Sequence, residues 1–177
     1  MILVLSGEKG AGKTTLLQKV ISEKGIAAQG FLSLKVMDQG VVTGISLLVL
    51  PGNDLVPMAV TTPIKTEVYT KRFYFNPGVF DRMNDRFRAI RQDLPFVFDE
   101  FGVLERDGGG HYPVFRALLE SSHPTLIVVR RELTDDLVSR LDRACPYRVV
   151  EFTDRDSPGT MSVIAGFLRD AADRRHR

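Results

Sequence analysis

Gly7-Glu8-Lys9-Gly10-Ala11-Gly12-Lys13-Thr14 follows the apolar run Ile2-Leu3-Val4-Leu5-Ser6 and precedes the helix-like stretch Thr15-Leu16-Leu17-Gln18-Lys19-Val20-Ile21. The octet has the form G-x-x-x-x-G-K-T, and its flanks supply the strand and the helix that a phosphate-binding loop requires. Glycines let the backbone curl until successive N–H groups point inward, and the helix behind adds the positive end of its dipole. Such a cup holds polyphosphate. The expected cradle comprises Gly7, Glu8, Lys9, Gly10, Ala11, Gly12, Lys13, Thr14 and Thr15. Within it Lys13 reaches the β- and γ-phosphates and the Thr14 hydroxyl is a ligand of Mg²⁺. The Lys9 side chain either adds a phosphate contact or points to solvent.

Outward from the loop, apolar runs bounded by turn residues alternate with helical patterns, which points to an α/β fold with a mainly parallel sheet. Strands are expected at 2–6, near 30–37 and at 41–50, with a hairpin turn at Asp38-Gln39-Gly40 and a helix over 12–23. Between Leu55 and Phe75 the β-branched and aromatic content predicts a small antiparallel β insertion, with Pro57 and Pro63 favouring an edge. Further on, the patterns predict helices over 79–91, 112–120, 135–141 and 161–171 and strands at 96–98, 125–129 and 147–152. A length of 177 residues suits one domain spanning 1–177.

Phe96-Val97-Phe98-Asp99-Glu100 is an apolar strand ending in two carboxylates. Opposite a phosphate loop, the first acid at such a tip holds the magnesium shell and the second orients or deprotonates a water, so Asp99 is assigned to the metal and Glu100 to the water. The alternative is a strand end with solvated acids. Where a carboxylate follows the metal-binding acid, an extra strand lies between the loop strand and the acid strand, and chain order nominates 125–129. Its tip then carries Arg130 and Arg131 towards the γ-phosphate, because ligands sit outside the carboxyl ends of parallel strands. Arg130 is the preferred arginine finger; the competing reading is two surface arginines. Gly102 permits close backbone approach, and Gly108-Gly109-Gly110 is either a switch responding to the γ-phosphate or a plain connector.

Other groups carry less. Asp81-Arg82 resembles a nucleotide-kinase pair but reads better as a surface ion pair, and Asp142-Arg143 and Asp154-Arg155 repeat it. His111 and His123 have no metal-ligand spacing. Phe73-Tyr74-Phe75 reads as filling of the insertion rather than a base-stacking platform. One cysteine, Cys145, excludes an internal disulfide and reads as a small buried side chain. Lys and Arg total 24 against 22 Asp and Glu, a net charge of +2, and only Arg174-Arg175-His176-Arg177 is a basic cluster, so nucleic acid is not a required partner. No apolar run approaches the roughly 20 residues of a membrane span, and no signal-like segment opens the chain, which leads to a cytoplasmic expectation.

Taken in order, Gly7 to Leu16, Gly30-Phe31, the block Asp99-Glu100-Phe101-Gly102-Val103-Leu104-Glu105 and a faint Thr153-Asp154-Arg155-Asp156 make the chain similar to the small cancer-related nucleoside-triphosphatase family also known from thermophilic microbes. The Asp-Glu-x-Gly-x-x-Glu block is the specific part. The resemblance implies a RecA-like core and slow Mg²⁺-dependent hydrolysis of ATP, GTP and other nucleoside triphosphates to the diphosphate. Two departures from the family's pattern are Lys35, where an acid is usual, and the wholly apolar Leu126-Ile127-Val128-Val129. Two other functions share the fold: a nucleotide or small-molecule kinase, against which no arginine-rich lid is visible, and a nucleotide-gated accessory protein of cofactor assembly acting on a protein client. A guanine-specific switch is disfavoured because no Asn-Lys-x-Asp follows Val129.

Overall fold

The computed structural model describes residues 1–142, 144–153 and 158–173. Strand β1 (Ile2–Gly7) enters the phosphate loop, which delivers the chain to helix α1 (Lys13–Glu23). Then come β2 (Gln29–Asp38), β3 (Val41–Leu50), β4 (Asp54–Val60), β5 (Tyr74–Phe75) and α2 (Val79–Arg86). The second half runs β6 (Phe96–Phe101), α3 (Val103–Arg106), α4 (Tyr112–Glu120), β7 (Thr125–Arg130), a 3₁₀ turn at Arg131–Leu133, α5 (Thr134–Leu141), β8 (Tyr147–Phe152) and α6 (Pro158–Asp173).

Among the described residues the eight strands join one sheet in the order β5-β4-β3-β2-β6-β7-β1-β8. From β2 to β8 the pairings are parallel, and from β2 to β5 antiparallel. The β insertion therefore prolongs the main sheet instead of forming a separate layer. The strand read as extra, β7, does lie between β6 and β1. Pro57 of β4 faces Ser46 of β3, beyond the short stretch where β5 covers β4, so its missing N–H interrupts no ladder there.

Period-two alternation along the central strands builds two cores. Ile2, Val4, Phe96, Phe98, Ile127 and Val129 face α2, α4 and α5, while Leu3, Leu5, Val97, Leu126 and Val128 face α1 and α6. Both faces being covered explains why these strands read as unbroken apolar runs. Gly30 has the least room of the described glycines that lie in strands. Its φ is 113°, and a Cβ there would overlap the Val97 carbonyl of β6.

Several local expectations change. The helix foreseen over 79–91 ends at Arg86. Phe87 turns into the core against Phe31 and Phe96, at ring distances of 5.4 and 5.5 Å, and the following segment is tied to β2 rather than to the helix. There the Gln29 amide donates to the carbonyls of Arg91 (2.6 Å) and Leu94 (2.9 Å), and the Arg91 N–H donates to Gln29 Oε1 (2.9 Å). Arg82 donates to the Pro77 carbonyl at 3.2 Å, not to Asp81. Cys145 is half-buried rather than fully enclosed. Phe75 is buried beneath the insertion, as expected. Arg143, the 154–156 triplet and the basic cluster at 174–177 lie outside the described residues.

Candidate active site

The loop after β1 turns on two glycines in left-handed conformation, Gly10 (φ 78°) and Gly12 (φ 105°), the latter preceding the first residue of α1. The Ala11 N–H donates to the Glu8 carbonyl at 3.2 Å, closing the curl. Glu8, Lys9, Gly10 and Thr15 are exposed, Ala11, Gly12 and Thr14 are half-buried, and Gly7 is buried at the end of β1. Lys13 is only 5% exposed, and its ammonium donates to the carbonyls of Gly7 (2.6 Å) and Glu8 (2.8 Å). Burial lowers its pKa from the ordinary lysine value, while the charges of Glu100 and Asp99 act in the opposite sense. Those opposing charges place the amino-terminal loop and the acidic strand tip in one electrostatic neighbourhood.

Asp99 is fully buried at the end of β6. Its Oδ2 accepts the Ser33 N–H at 3.0 Å, and the Ser33 hydroxyl donates to the Asp99 carbonyl. Oδ1 is buried and has no hydrogen-bond partner among the described residues, and the Thr14 hydroxyl lies close enough to the carboxylate to pull its pKa down. Burial and the neighbouring Glu100 charge push the Asp99 carboxyl up to about 7, against the pull of Thr14, Ser33 and Lys13.

At Glu100 the β6–β7 ladder is dislocated: Asp99 pairs with Val128 and Phe101 with Val129, leaving Glu100 between them as a bulge. Bulges re-aim side chains, and this one turns Glu100 out of the alternation. Arg130, which ends β7 beside Gly7 of β1, contacts Glu100 Oε1 through Nε (2.8 Å) and Nη2 (2.6 Å). Both partners are a little over a quarter exposed. Arg131 points elsewhere, 3.4 Å from Glu8 of the loop and 3.4 Å from Glu151 of β8. The two neighbouring arginines thus divide: Arg130 goes to the acidic tip and Arg131 to the outer flank of the loop.

Two participants were assigned no role from sequence. Ser33 carries no motif of its own. Glu105, the last acid of the specific block, is 6% exposed and accepts the N–H groups of Gly102 (3.0 Å) and His111 (2.9 Å). It buckles the glycine-rich segment shut, and its pKa is raised by burial despite those two bonds. His111 Nδ1 lies 3.1 Å from Asn84 Oδ1, and the ring packs on Phe31 and Phe80 at 4.7 and 5.0 Å; burial depresses its pKa to about 4. His123 is likewise buried, with Nε2 2.8 Å from the Leu94 carbonyl. Among the described residues no group of three or more His, Cys, Asp or Glu could hold a metal by itself.

Comparison with known proteins shows the family and the fold. The family model described as NTPase matches residues 2–161. The nucleoside-triphosphatase THEP1 of Metallosphaera sedula is 29% identical over 133 residues, which cover 74% of this chain and 72% of that protein. The crystal structure of THEP1 from the hyperthermophile Aquifex aeolicus superposes with a TM-score of 0.73 at 18% identity, over 95% of this chain and 99% of that one. The solution structure of a human cancer-related nucleoside triphosphatase gives 0.69 at 18% identity, over 95% and 97%. These two structural likenesses speak for the fold, and the family match speaks for the activity: the chain belongs to the NTPase family and is a nucleoside-triphosphate hydrolase.

Proposed function

We propose that the protein hydrolyses ATP, GTP and other nucleoside triphosphates to the diphosphate and phosphate in a Mg²⁺-dependent reaction at the loop of Gly7 to Thr15. The observation that carries this reading is that Gly7, where the loop begins, lies beside Arg130 of β7, which holds Glu100 at the tip of β6, so that Lys13 and Thr14 share one neighbourhood with Asp99 and Glu100. A hard cation seeks oxygen donors, and the buried, unpartnered Oδ1 of Asp99 together with the Thr14 hydroxyl beside the same carboxylate is a donor set of that type. The residues fit Mg²⁺, with Thr14 as ligand and Asp99 holding its water shell. When bound, Mg²⁺ supplies charge neutralisation at the β- and γ-phosphate oxygens.

The remaining chemistry belongs to the side chains. Lys13 binds the phosphate oxygens. Glu100 orients a water in line with the γ-phosphorus and receives its proton as the bond to the β–γ bridging oxygen breaks, so that water and nucleoside triphosphate become phosphate and nucleoside diphosphate. Because both Arg130 contacts fall on Oε1, Oε2 is the oxygen assigned to that water. Arg130 thereby fixes the base and brings a positive charge to the edge of the reacting centre. Phosphate release measured with the four common nucleoside triphosphates, with and without Mg²⁺, tests the reading. Metal-dependent release from all four is expected; release from one alone, or release unaffected by chelator, overturns it. Addition of nucleoside monophosphates leaves the release unchanged, whereas formation of a phosphorylated acceptor would make the enzyme a kinase.

A further inference from the structure

Asp99 sits at the limit of regular backbone pairing: it is the last β6 residue in register with β7 before the slip, and it lies one residue past the end of the β2 ladder. On one flank the β6–β7 ladder is dislocated at Glu100; on the other, β2 pairs with β6 only as far as Phe31 opposite Phe98. One residue fills the gap. Ser33, two positions beyond that last pair, gives its N–H to Asp99 Oδ2 at 3.0 Å and its hydroxyl to the Asp99 main-chain carbonyl. These two bonds hold the carboxylate and the backbone of the same residue, so neither the χ angles nor the strand tip can swing independently. With Oδ2 taken by the Ser33 N–H, the oxygen left without a partner is Oδ1, buried in a carboxylate that also feels the Thr14 hydroxyl.

We propose that Ser33 is a positioning residue that clamps Asp99 so that Oδ1 is presented to the divalent cation. The inference rests on the assignment of Asp99 to the metal under the proposed function. Ser33 itself touches neither metal nor nucleotide; it acts through the bonds it makes to a ligand-holding carboxylate, and loss of such an outer partner typically weakens metal binding or activity by about 10–100-fold. The N–H bond survives any side-chain change that keeps the strand, so the hydroxyl is the part that mutation can remove. Without it the Asp99 carbonyl loses its donor at a point that no ladder replaces.

The test measures Mn²⁺ affinity by electron paramagnetic resonance on the nucleoside-diphosphate complex of the whole chain, alongside nucleotide affinity in chelator and the melting temperature. Ser33→Ala is expected to weaken Mn²⁺ binding by about tenfold or more. Chelator-phase nucleotide affinity stays at the parent level, and Ser33→Thr, which keeps the hydroxyl, restores the metal affinity. Should Ser33→Ala lower the melting temperature steeply, Ser33→Cys keeps the volume while weakening the donor, and it must show the same selective loss. Asp99→Asn serves as the reference. If it weakens Mn²⁺ binding while the alanine and cysteine variants bind Mn²⁺ like the parent, the clamp is refuted and the Asp99 assignment stands. If Asp99→Asn also binds like the parent, the metal assignment falls and takes the clamp with it.

Discussion

Glu100 and Arg130 form the pair on which the chemical step is expected to depend. Glu100→Gln keeps the shape but cannot accept a proton, so single-turnover hydrolysis is expected to fall by about 10²–10⁴-fold with nucleotide affinity little changed. A variant that cleaves ATP at the parent rate would remove Glu100 from the water-orienting role. Arg130→Ala removes both contacts to Oε1 and is expected to lower kcat by about 10²–10³-fold, by the measure of a lost charge-stabilising donor. Arg130→Lys recovers part of that loss, since one ammonium can reach Oε1 but cannot reproduce two guanidinium contacts. Equal kcat values for the alanine, lysine and parent proteins would leave Arg130 as a surface cation. Arg131, spread between Glu8 and Glu151 at 3.4 Å and about half exposed, is expected to change the rate far less when replaced by alanine.

At the scale of elements, the short helix α3 and the glycines after it are one unit closed by Glu105. Its carboxylate takes the N–H of Gly102 at one end and of His111 at the other, so the segment that leaves the acidic tip is fastened back on itself. Glu105→Ala would strand both donors, His111 N–H in a buried position, at a cost of about 1–3 kcal/mol for each unsatisfied group. A melting temperature lower by several degrees, together with a reduced kcat at nearly unchanged nucleotide affinity, is the expected outcome in thermal denaturation and steady-state kinetics. Parent-like values for both would mean that the buckle is dispensable. The glycine run is also tied back onto α3, through the Gly108 N–H to the Glu105 carbonyl (3.2 Å), the Gly109 N–H to the Leu104 carbonyl (2.8 Å) and the His111 N–H to the Glu105 carboxylate, which argues against a slack connector.

For the molecule as a whole, three buried groups set opposing pH dependences of stability in the metal-free protein, two carboxyls of one sign and a histidine of the other. Asp99, raised to about 7, contributes stability that is fully present below its unfolded value near 3.8 and lost as pH rises through 7. Glu105, also raised, has the same sign. His111, depressed to about 4, contributes stability that is present above its unfolded value near 6.5 and lost as pH falls through 4. Between pH 4 and 6.5 the histidine therefore offsets the carboxyls. His111→Phe, an aromatic replacement among Phe31, Phe80 and Phe98, is expected to steepen the fall of melting temperature with rising pH across that interval, as thermal scans in chelator would register. An unchanged slope would mean that His111 is not buried neutral. Saturating Mg²⁺ and nucleoside diphosphate should flatten the decline near pH 7, because the bound cation favours the ionised Asp99 carboxyl. No helix among the described residues is long and apolar enough to cross a membrane.

The local structure was legible in the chain itself. A strand, a G-x-x-x-x-G-K-T turn and a helix follow from contiguous residues, as does the acid pair that ends Phe96-Val97-Phe98, because each is written in short-range patterning and backbone freedom. Chain order also foretold β7 between β1 and β6. What depended on long-range pairing was not legible: that the Gln29 side chain ends α2 early by capturing 91–94, that Ser33 grips Asp99 across 66 residues of sequence, and that Arg130 rather than Arg131 meets Glu100. These contacts arise where sheet ladders stop or slip. There the backbone no longer dictates the partner, and only the packed arrangement of β2, β6 and β7 decides which side chain supplies it.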